Sequence, residues 1–534
     1  MLRLTLLFAL VASAIGLFWH WMGQPLAVPV SPLAHGQKLN CLSYAPFHDS
    51  RAPYDRPLRI PDGQIERDLK QLAQVTSCIR IYSAAPAQGK ITRIADKVGL
   101  KVLQGIWISR NLAENRREIE AGLRLARLHP GVIEAFIVGN ETLLRGELGP
   151  DRIKTYLEEV RRRSGLPVTY ADVWEFWLKA PELASAVDFV TIHILPYWED
   201  QPVTAEKAVE HVREVRKKVA DIFAGKEIWI GEVGWPSEGR MRDGALPSPA
   251  NQALVLSGMV EAANAENWKV NLIEAFDQPW KRLLEGTVGG YWGLFGDATR
   301  ELKFRWGEPV SNHPEWVIEA ALGVGAAFLV FATAWFSRRR DHAEGESWRR
   351  SLAIAAIALS AGLVFGWAAL GLPMEPPEPG DRLRSAGMIV LSLLVPMVAA
   401  GVVSQNAPLG NLAVALNAPL RRHVNGWSLM LAVLFAATVV AAIHVTLGLV
   451  FDPRYKDFQL ALLSGPVAAL AIVAFLEPVR PVAGVAEWVA AALLTGSALF
   501  VVFNEGIANW QALWFGSLLV ALALTVLRAT PAPG

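Results

Sequence analysis

The chain has 534 residues, a formal net charge of +1, 52% hydrophobic and 19% charged residues, and two cysteines. The near-zero charge gives no electrostatic case for nucleic acid, the apolar content excludes intrinsic disorder, and two cysteines exclude a disulfide scaffold. The average hides two regions: 76 charged residues fall within 1–316 and only 25 within 317–534. The first reads as globular and the second as membrane-embedded. In chain order, an apolar run at Leu4–Met22 follows Arg3, with no small-residue cleavage site after Trp19-His20-Trp21, and reads as an uncleaved signal anchor within 1–24 rather than a removed signal peptide. A Pro-containing linker (Pro25–Gly36) leads into a globular domain over 36–312. A region over 317–534 then carries apolar runs at Val317–Phe336, Leu352–Leu372, Ser385–Val403, Trp427–Phe451, Gln459–Leu476, Val485–Phe503 and Ala512–Leu527. A crossing helix needs about 20 apolar residues, so the expectation is eight spans, with those near Gln459 and Ala512 the shortest.

Lys/Arg bias sets the orientation. With the N-terminus cytoplasmic, the loop Ser337–Ser351 is inside and carries Arg338, Arg339, Arg340, Arg349 and Arg350. Later inside segments carry Arg421, Arg422, Arg480 and Arg528, against Arg382, Arg384, Arg454 and Lys456 outside. The globular domain then faces the non-cytoplasmic side, which in a bacterium is the periplasm, and the chain is a multi-pass inner-membrane protein in contact with the lipid bilayer. Glu319 and Glu487 lie near span ends and His444 lies mid-span. A satisfied histidine hydrogen-bonded to a neighbouring helix accounts for His444 as well as a functional role does.

The globular part alternates apolar strands with amphipathic helices. The strands read as Leu39–Ala45, Cys78–Tyr82, Val102–Ile108, Val132–Gly139, Val168–Ala171, Phe189–Ile194, Glu227–Glu232 and Leu272–Phe276. Helical patterns lie between them, such as Asp62–Val75, Glu114–Leu128, Arg152–Arg163, Ala205–Ile222 and Pro249–Glu266. Nearly continuous apolar strands suit a parallel sheet covered on both faces. Eight repeats predict an α/β fold, a (β/α)8 TIM barrel, followed by an all-α polytopic transmembrane domain. A doubly wound sheet would want a Gly-rich phosphate loop after the first strand. The residues there are Ser43-Tyr44-Ala45-Pro46-Phe47.

Barrel chemistry sits at the C-terminal ends of strands. Those ends carry Tyr44, Arg80, Tyr82, Trp107, Asn140, Glu141, Tyr170, Asp172, His193, Glu232, Trp235, Glu274, Asp277 and Trp280. Aromatic faces for pyranose C–H surfaces, with carboxylates and amides for hydroxyls, describe a sugar site. Strand four ends Gly139-Asn140-Glu141 and strand seven ends Gly231-Glu232-Val233-Gly234-Trp235-Pro236. Strands four and seven lie nearly opposite, so the two glutamates can face each other, as a retaining glycosidase requires.

These residues resemble glycoside hydrolase family 17. The resemblance rests on Arg80-Ile81-Tyr82, Val138-Gly139-Asn140-Glu141, Gly231-Glu232-Val233-Gly234-Trp235-Pro236-Ser237 and Tyr291-Trp292-Gly293-Leu294-Phe295. It covers about Leu39–Trp306 and none of the apolar tail. It implies Glu141 as acid/base, Glu232 as nucleophile and Asn140 on the sugar 2-hydroxyl. Around that pair, the strand ends and the run beyond them offer Tyr44, Arg80, Tyr82, Trp107, His193, Trp235, Glu274, Asp277, Trp280 and Lys281 as substrate-binding residues, with barrel-mouth packing the competing role for each Trp and an internal ion pair that for Arg80. Plant members run Phe-Asn-Glu-Asn after strand eight, with a later Lys and Glu. Here the run is Phe276-Asp277-Gln278-Pro279-Trp280-Lys281, with Glu285 beyond.

The implied substrate is β-1,3-glucan. The apolar tail favours a membrane-bound glucan synthase or transglycosylase type that cleaves and transfers chains, with β-1,6 linkages among its products, on glucan made by a separate polymerase or exporter. A tethered endo-β-1,3-glucanase and a non-catalytic glucan-binding or export module stand as alternatives. A further one makes the apolar tail itself a glucan conduit lined by Trp367, Trp427, Trp488, Trp510 and Trp514, and interfacial aromatic belts explain most of these tryptophans equally well. A sugar-nucleotide synthase would need a cytoplasmic Asp-x-Asp site, which the short inside loops lack. No metal-ligand spacing and no cofactor motif appears, so no metal and no cofactor is expected. Cys41 and Cys78 lie on neighbouring strands, where an oxidising compartment permits a bridge. Alternation counted from Tyr44 and Arg80 sets them on opposite faces, which argues against one.

Overall fold

A computed structural model describes residues 2–49, 51–55, 57–337, 347–374, 379–412, 415, 425–476 and 484–529. The chain divides into two compact units. One is Leu26–Val310, and the other joins Met1–Pro25 to Ser311–Gly534.

In the first unit eight strands close a parallel barrel in chain order. They are β1 (Cys41–Ser43), β2 (Cys78–Ile81), β3 (Lys101–Ile106), β4 (Ile133–Asn140), β5 (Val168–Val173), β6 (Val190–His193), β7 (Ile228–Val233) and β8 (Val270–Leu272). The covering helices bury one apolar stripe each: Ile65, Leu69 and Leu72 on Asp62–Val75, and Ile153, Leu157 and Val160 on Pro150–Ser164. Their ends follow local chemistry. Asn111 accepts from the Glu114 N–H at the start of Leu112–Leu128, and Ser248 accepts from Asn251 at the start of Pro249–Glu266. The main core lies between the strands and this helical ring.

The eighth strand is shorter and earlier than expected. Beyond Leu272 the chain leaves the ladder: Glu274 N–H donates to Trp292 O and Ala275 N–H to Ser43 O, and Phe276 bridges Phe295. Glu274 and Asp277 therefore stand in the loop above the barrel.

A second cluster fills the barrel interior near its N-terminal end: Cys41, Cys78, Leu103, Ala135, Ile137, Ala171 and Phe189, with Trp229 stacked on Phe189 at 4.0 Å. Cys41 and Cys78 are joined in a disulfide, which corrects the opposite-face expectation. That expectation took Tyr44 as facing the interior. Tyr44 lies past the end of β1 and turns out toward the helices, where its hydroxyl donates to Asp68. Ser43 pairs with Arg80 in the ladder, so Cys41 and Cys78, two residues earlier on each strand, share the inner face.

In the second unit seven described helices are long and apolar enough to cross a membrane: Arg3–Met22, Trp316–Phe336, Trp348–Met374, Pro379–Ser404, Gly426–Phe451, Val485–Glu505 and Trp510–Arg528. Of the eight expected spans, the one at Leu460–Leu476 is shorter, at 17 residues, and Trp510–Arg528 reaches full length. Leu4, Val11, Ile15 and Trp19 form the buried stripe of the first helix. Ile15 packs where Gly323 and Gly362 bring two backbones together; a Cβ on Gly323 would sit 2.1 Å from the Gly362 carbonyl. Glu487 accepts from the Leu412 and Gly484 N–H groups, and Glu319 pairs with His313 at 3.1 Å. His444 is exposed on this unit, as are Trp488, Trp510 and Trp514. Arg338, Arg339, Arg340, Arg421, Arg422 and Arg480, which carry much of the orientation argument, lie outside the described residues.

The disulfide closes a loop of 37 residues in sequence. Replacing both cysteines by serine is expected to lower the barrel's unfolding free energy by about 2–4 kcal/mol. Pulse proteolysis of the full-length protein across a urea series measures this, and an unchanged midpoint would refute it.

Candidate active site

Arg80 organises the centre of the site. It points inward from β2 and is 1% exposed. Its Nη1 donates to the Gly231 carbonyl at 2.6 Å and lies 3.1 Å from Glu232 Oε1. Its Nη2 donates to Asn140 Oδ1, and both nitrogens stand 3.2 Å from His193 Nε2. A guanidinium has no acceptor, so His193 Nε2 accepts. The imidazole proton then sits on Nδ1, which donates to Glu141 Oε1 at 2.8 Å. Tyr82 donates to Glu232 Oε1 at 2.8 Å, under the Arg80 guanidinium. Ser43 and Asn271, neither singled out from the sequence, back this cluster. Ser43 Oγ lies 2.9 Å from the Tyr82 hydroxyl, and Asn271 Nδ2 donates to Ser43 Oγ and Gly231 O.

The structure brings Glu141 and Glu232 together. One oxygen from each and a ring nitrogen of His193 lie within 4.8 Å of one another. The ladders shift register here, between Ile137 and Asn140 on β4, Ile192 and His193 on β6, and Ile230 and Val233 on β7. Such bulges re-aim side chains at barrel rims. The three groups have metal-ligand spacing, but Arg80 already supplies a cation to two of them, so they read as a carboxylate pair held by protein charge.

Burial pushes the Glu141 carboxyl up, but the His193 hydrogen bond, with the charges of Arg80 and Arg145, outweighs it and holds the group below its ordinary value. Burial and the neighbouring Glu232 push the Tyr82 hydroxyl well above its ordinary value. Glu274 is 3% exposed and bonded to Lys281 at 2.8 Å. Burial still carries it to about 7, against the pull of Lys281, with Glu232 and Asp277 adding repulsion. Burial likewise carries Glu285 to about 7, again against the pull of Lys281.

Other expected residues are placed differently. Tyr44 is fully buried among the helices and is not at the mouth. Trp235 is fully buried too; its Nε1 donates to Leu246 O and its ring packs edge-on to Tyr197, so it shapes the wall instead of facing the cleft. Asp277 is closed off by Lys303 and the Gly293 N–H, each at 2.8 Å. Trp107 is 36% exposed, with the Arg145 guanidinium 4.3 Å over its ring. Trp280 is half-buried against Phe47 and Tyr54. Arg145 and Lys303 were not anticipated: Arg145 donates to Asn140 O and Ile108 O, and Lys303 joins Asp277 to Ser237. A cavity of about 190 Å3 lies toward the N-terminal end of the barrel, among Asn40, the disulfide, Trp229 and Lys269, and reaches up to Arg80, Gly231 and Asn271 beneath the glutamate pair.

Residues 41–293 match the BtgE/BtgC glycoside hydrolase domain. The barrel is a glycoside-hydrolase-like enzyme domain. The chain is 24% identical over 254 residues to a glucan 1,3-beta-glucosidase of Saccharomyces cerevisiae, covering 43% of this chain and 80% of that one. It is 27% identical over 269 residues to a glucan 1,3-beta-glucosidase of Arthroderma benhamiae, covering 46% and 86%. A glycoside hydrolase family 17 β-1,3-glucanosyltransferase from Rhizomucor miehei aligns at 24% identity and a TM-score of 0.44, over 50% of this chain and 96% of that one. The family match and the sequence relatives support the resemblance to family 17, and they concern the glycoside hydrolase domain.

A carboxyl raised in the folded state stabilises it fully below the unfolded value, and the gain is lost as pH rises through the folded value. Glu274 should therefore make the glycoside hydrolase domain less stable as pH climbs from 4.5 to about 7. Glu274→Gln should flatten that slope, read as the domain's Tm across this range; parallel wild-type and variant curves would refute the assignment.

Proposed function

We propose that the protein is a membrane-bound retaining enzyme that cleaves β-1,3-glucan and transfers the chain to another glucan. The observation that carries this reading is the pair Glu141 and Glu232, with oxygens within 4.8 Å across the ends of β4 and β7. Retaining glycosidases hold their carboxyls about 5–5.5 Å apart, and inverting enzymes leave about 6.5–9.5 Å for a water. Glucan-active relatives supply the substrate class.

Glu232, ionised between Arg80 and Tyr82, attacks the anomeric carbon. The bond to the leaving oxygen breaks as Glu141 delivers its proton, leaving an ester between the sugar and Glu232. In the second half Glu141 takes a proton from water or from a glucan hydroxyl, which displaces Glu232. Asn140, its oxygen held by Arg80, offers its NH2 to the 2-hydroxyl. In the free site Glu141 favours its anionic form. A bound chain that covers its carboxyl, 23% exposed, adds desolvation, and ionised Glu232 adds repulsion; both favour the acid form.

The apolar helices fit a bilayer-embedded unit. The Lys/Arg bias supports a bacterial inner-membrane protein with the barrel in the periplasm. There the enzyme would remodel glucan delivered by a separate polymerase or exporter, forming new linkages that include β-1,6.

Two experiments test this. Glu232→Ala should abolish turnover. Glu141→Ala should lower the rate on glucan by about 10²–10⁴; on a dinitrophenyl β-glycoside, whose leaving group needs no acid, azide should speed turnover of that variant with formation of a β-glycosyl azide; near-normal activity on glucan in either variant would sink the assignment. Full-length enzyme incubated with reduced β-1,3-gluco-oligosaccharides should give products longer than the substrate by mass spectrometry. Only shorter products would replace transfer with hydrolysis.

A further inference from the structure

We propose that Asp172, with Tyr170, is the positioning residue for Glu141: a clamp on β5 that holds the turn after β4 and so aims the acid/base carboxyl. The proposal rests on the acid/base reading of Glu141.

The turn needs holding. Gly139 has φ +89° and Glu141 has φ +51°, the left-handed region. A glutamate adopts that region at a cost, and such conformations persist only where surrounding structure over-determines them. Glu141 N–H donates to Ala171 O at 2.8 Å, and Thr142 Oγ1 reaches Ile108 O at 3.3 Å. The next two N–H groups then converge on β5. Leu143 N–H donates to the Tyr170 hydroxyl at 2.9 Å and to Asp172 Oδ2 at 3.2 Å, and Leu144 N–H reaches the same oxygen at 3.4 Å. Tyr170 donates its own proton to Asp172 Oδ2, and Asp172 Oδ1 accepts from Val173 N–H at 2.8 Å. Both side chains are fully buried. The Tyr170 ring also abuts the bulge, since a Cβ on Gly139 would sit 3.0 Å from it and 3.0 Å from Thr142 Oγ1. A buried carboxylate costs stability unless its hydrogen bonds are made. Here two of the four donors, Leu143 N–H and Leu144 N–H, belong to the turn that carries Glu141.

Asp172 also balances charge. The groups that act on Glu141 are Arg80 on β2, Arg145 in the turn, Asp172 on β5, His193 on β6, Glu232 on β7 and Glu285 beyond β8. Burial raises Asp172, the Tyr170 hydrogen bond opposes it, and Glu141 adds to the rise. That mutual repulsion favours the protonated form of Glu141. Without the charge on Asp172, the cations around Glu141 gain, and its acid form survives only to lower pH.

The test uses the full-length enzyme and two substrates: a β-1,3-glucan chain, and a dinitrophenyl glycoside of a β-1,3-gluco-oligosaccharide whose leaving group needs no acid. Asp172→Asn should lower kcat on glucan by about 10-fold to 10²-fold with KM nearly unchanged, leave kcat/KM on the dinitrophenyl substrate nearly unchanged because Glu141 enters that reaction only after the glycosyl-enzyme has formed, and move the alkaline limb of kcat/KM on glucan to lower pH. Tyr170→Phe should show the same substrate selectivity with the alkaline limb in place, because it keeps the charge; it also carries the test should Asp172→Asn fail to fold. Equal losses on both substrates in these variants would overturn the clamp. Glu141→Ala separates the two readings. Selectivity there without selectivity at Tyr170 and Asp172 overturns the clamp alone, and no selectivity in Glu141→Ala overturns the acid/base assignment and the clamp with it.

Discussion

A single buried cation holds the centre of the barrel together. Arg80 is inaccessible to water, so its charge must be met by protein. It is met by Glu232, by the Gly231 carbonyl, by Asn140 and by the acceptor nitrogen of His193. Those partners come from β4, β6 and β7, and one charge therefore sets the register in which the strand ends meet. Removing any one partner leaves the others facing an uncompensated buried charge, which makes the cluster cooperative. The same charge fixes the histidine tautomer and hence the direction of the hydrogen bond to Glu141.

Further out, two half-buried lysines do for the eighth strand what Arg80 does for the centre. Lys281 ties Glu274, and Lys303 ties Asp277 and Ser237. Each spans from the loop after β8 to a later segment, so the region beyond the ladder is held by charge where backbone pairing has ended. Both carboxylates retain raised proton affinity because burial outweighs their partners.

Much of this was legible in the sequence because apolar runs and their terminal polar residues have a short period. The barrel could be read from eight apolar runs, and Glu141 and Glu232 from the Asn-Glu and Gly-Glu pairs that end two of them. Tyr44, one position past β1, and Trp235, two past β7, misled because an aromatic residue beyond a strand end can turn either way. Tyr44 found a buried acceptor in Asp68 and Trp235 a backbone carbonyl. The disulfide was misread through that same error at Tyr44. Arg145 and Lys303 lay outside any strand and gave no periodic signal. Their roles depend on loops that return to the barrel mouth, which spacing along the chain does not encode. Ser43 and Asn271 could have been found by carrying the inward parity of Arg80 across to the first and eighth strands.

The pairing of Leu26 with Val310 brings the two ends of the barrel unit side by side. The barrel is thus a 285-residue insertion between the first apolar helix and the rest of its unit. Yet Ile15 of that first helix packs against Gly323 and Gly362, which are translated only after the barrel. At about 5–20 residues per second, the first helix waits roughly 15–60 s for its partners. Its buried stripe of Leu4, Val11, Ile15 and Trp19 must stay soluble in its surroundings for that interval. In a bilayer lipid can shield such a stripe, whereas in water it would invite aggregation. The order of synthesis therefore favours insertion of the first helix before the barrel folds, and assembly of the helical unit as the last step.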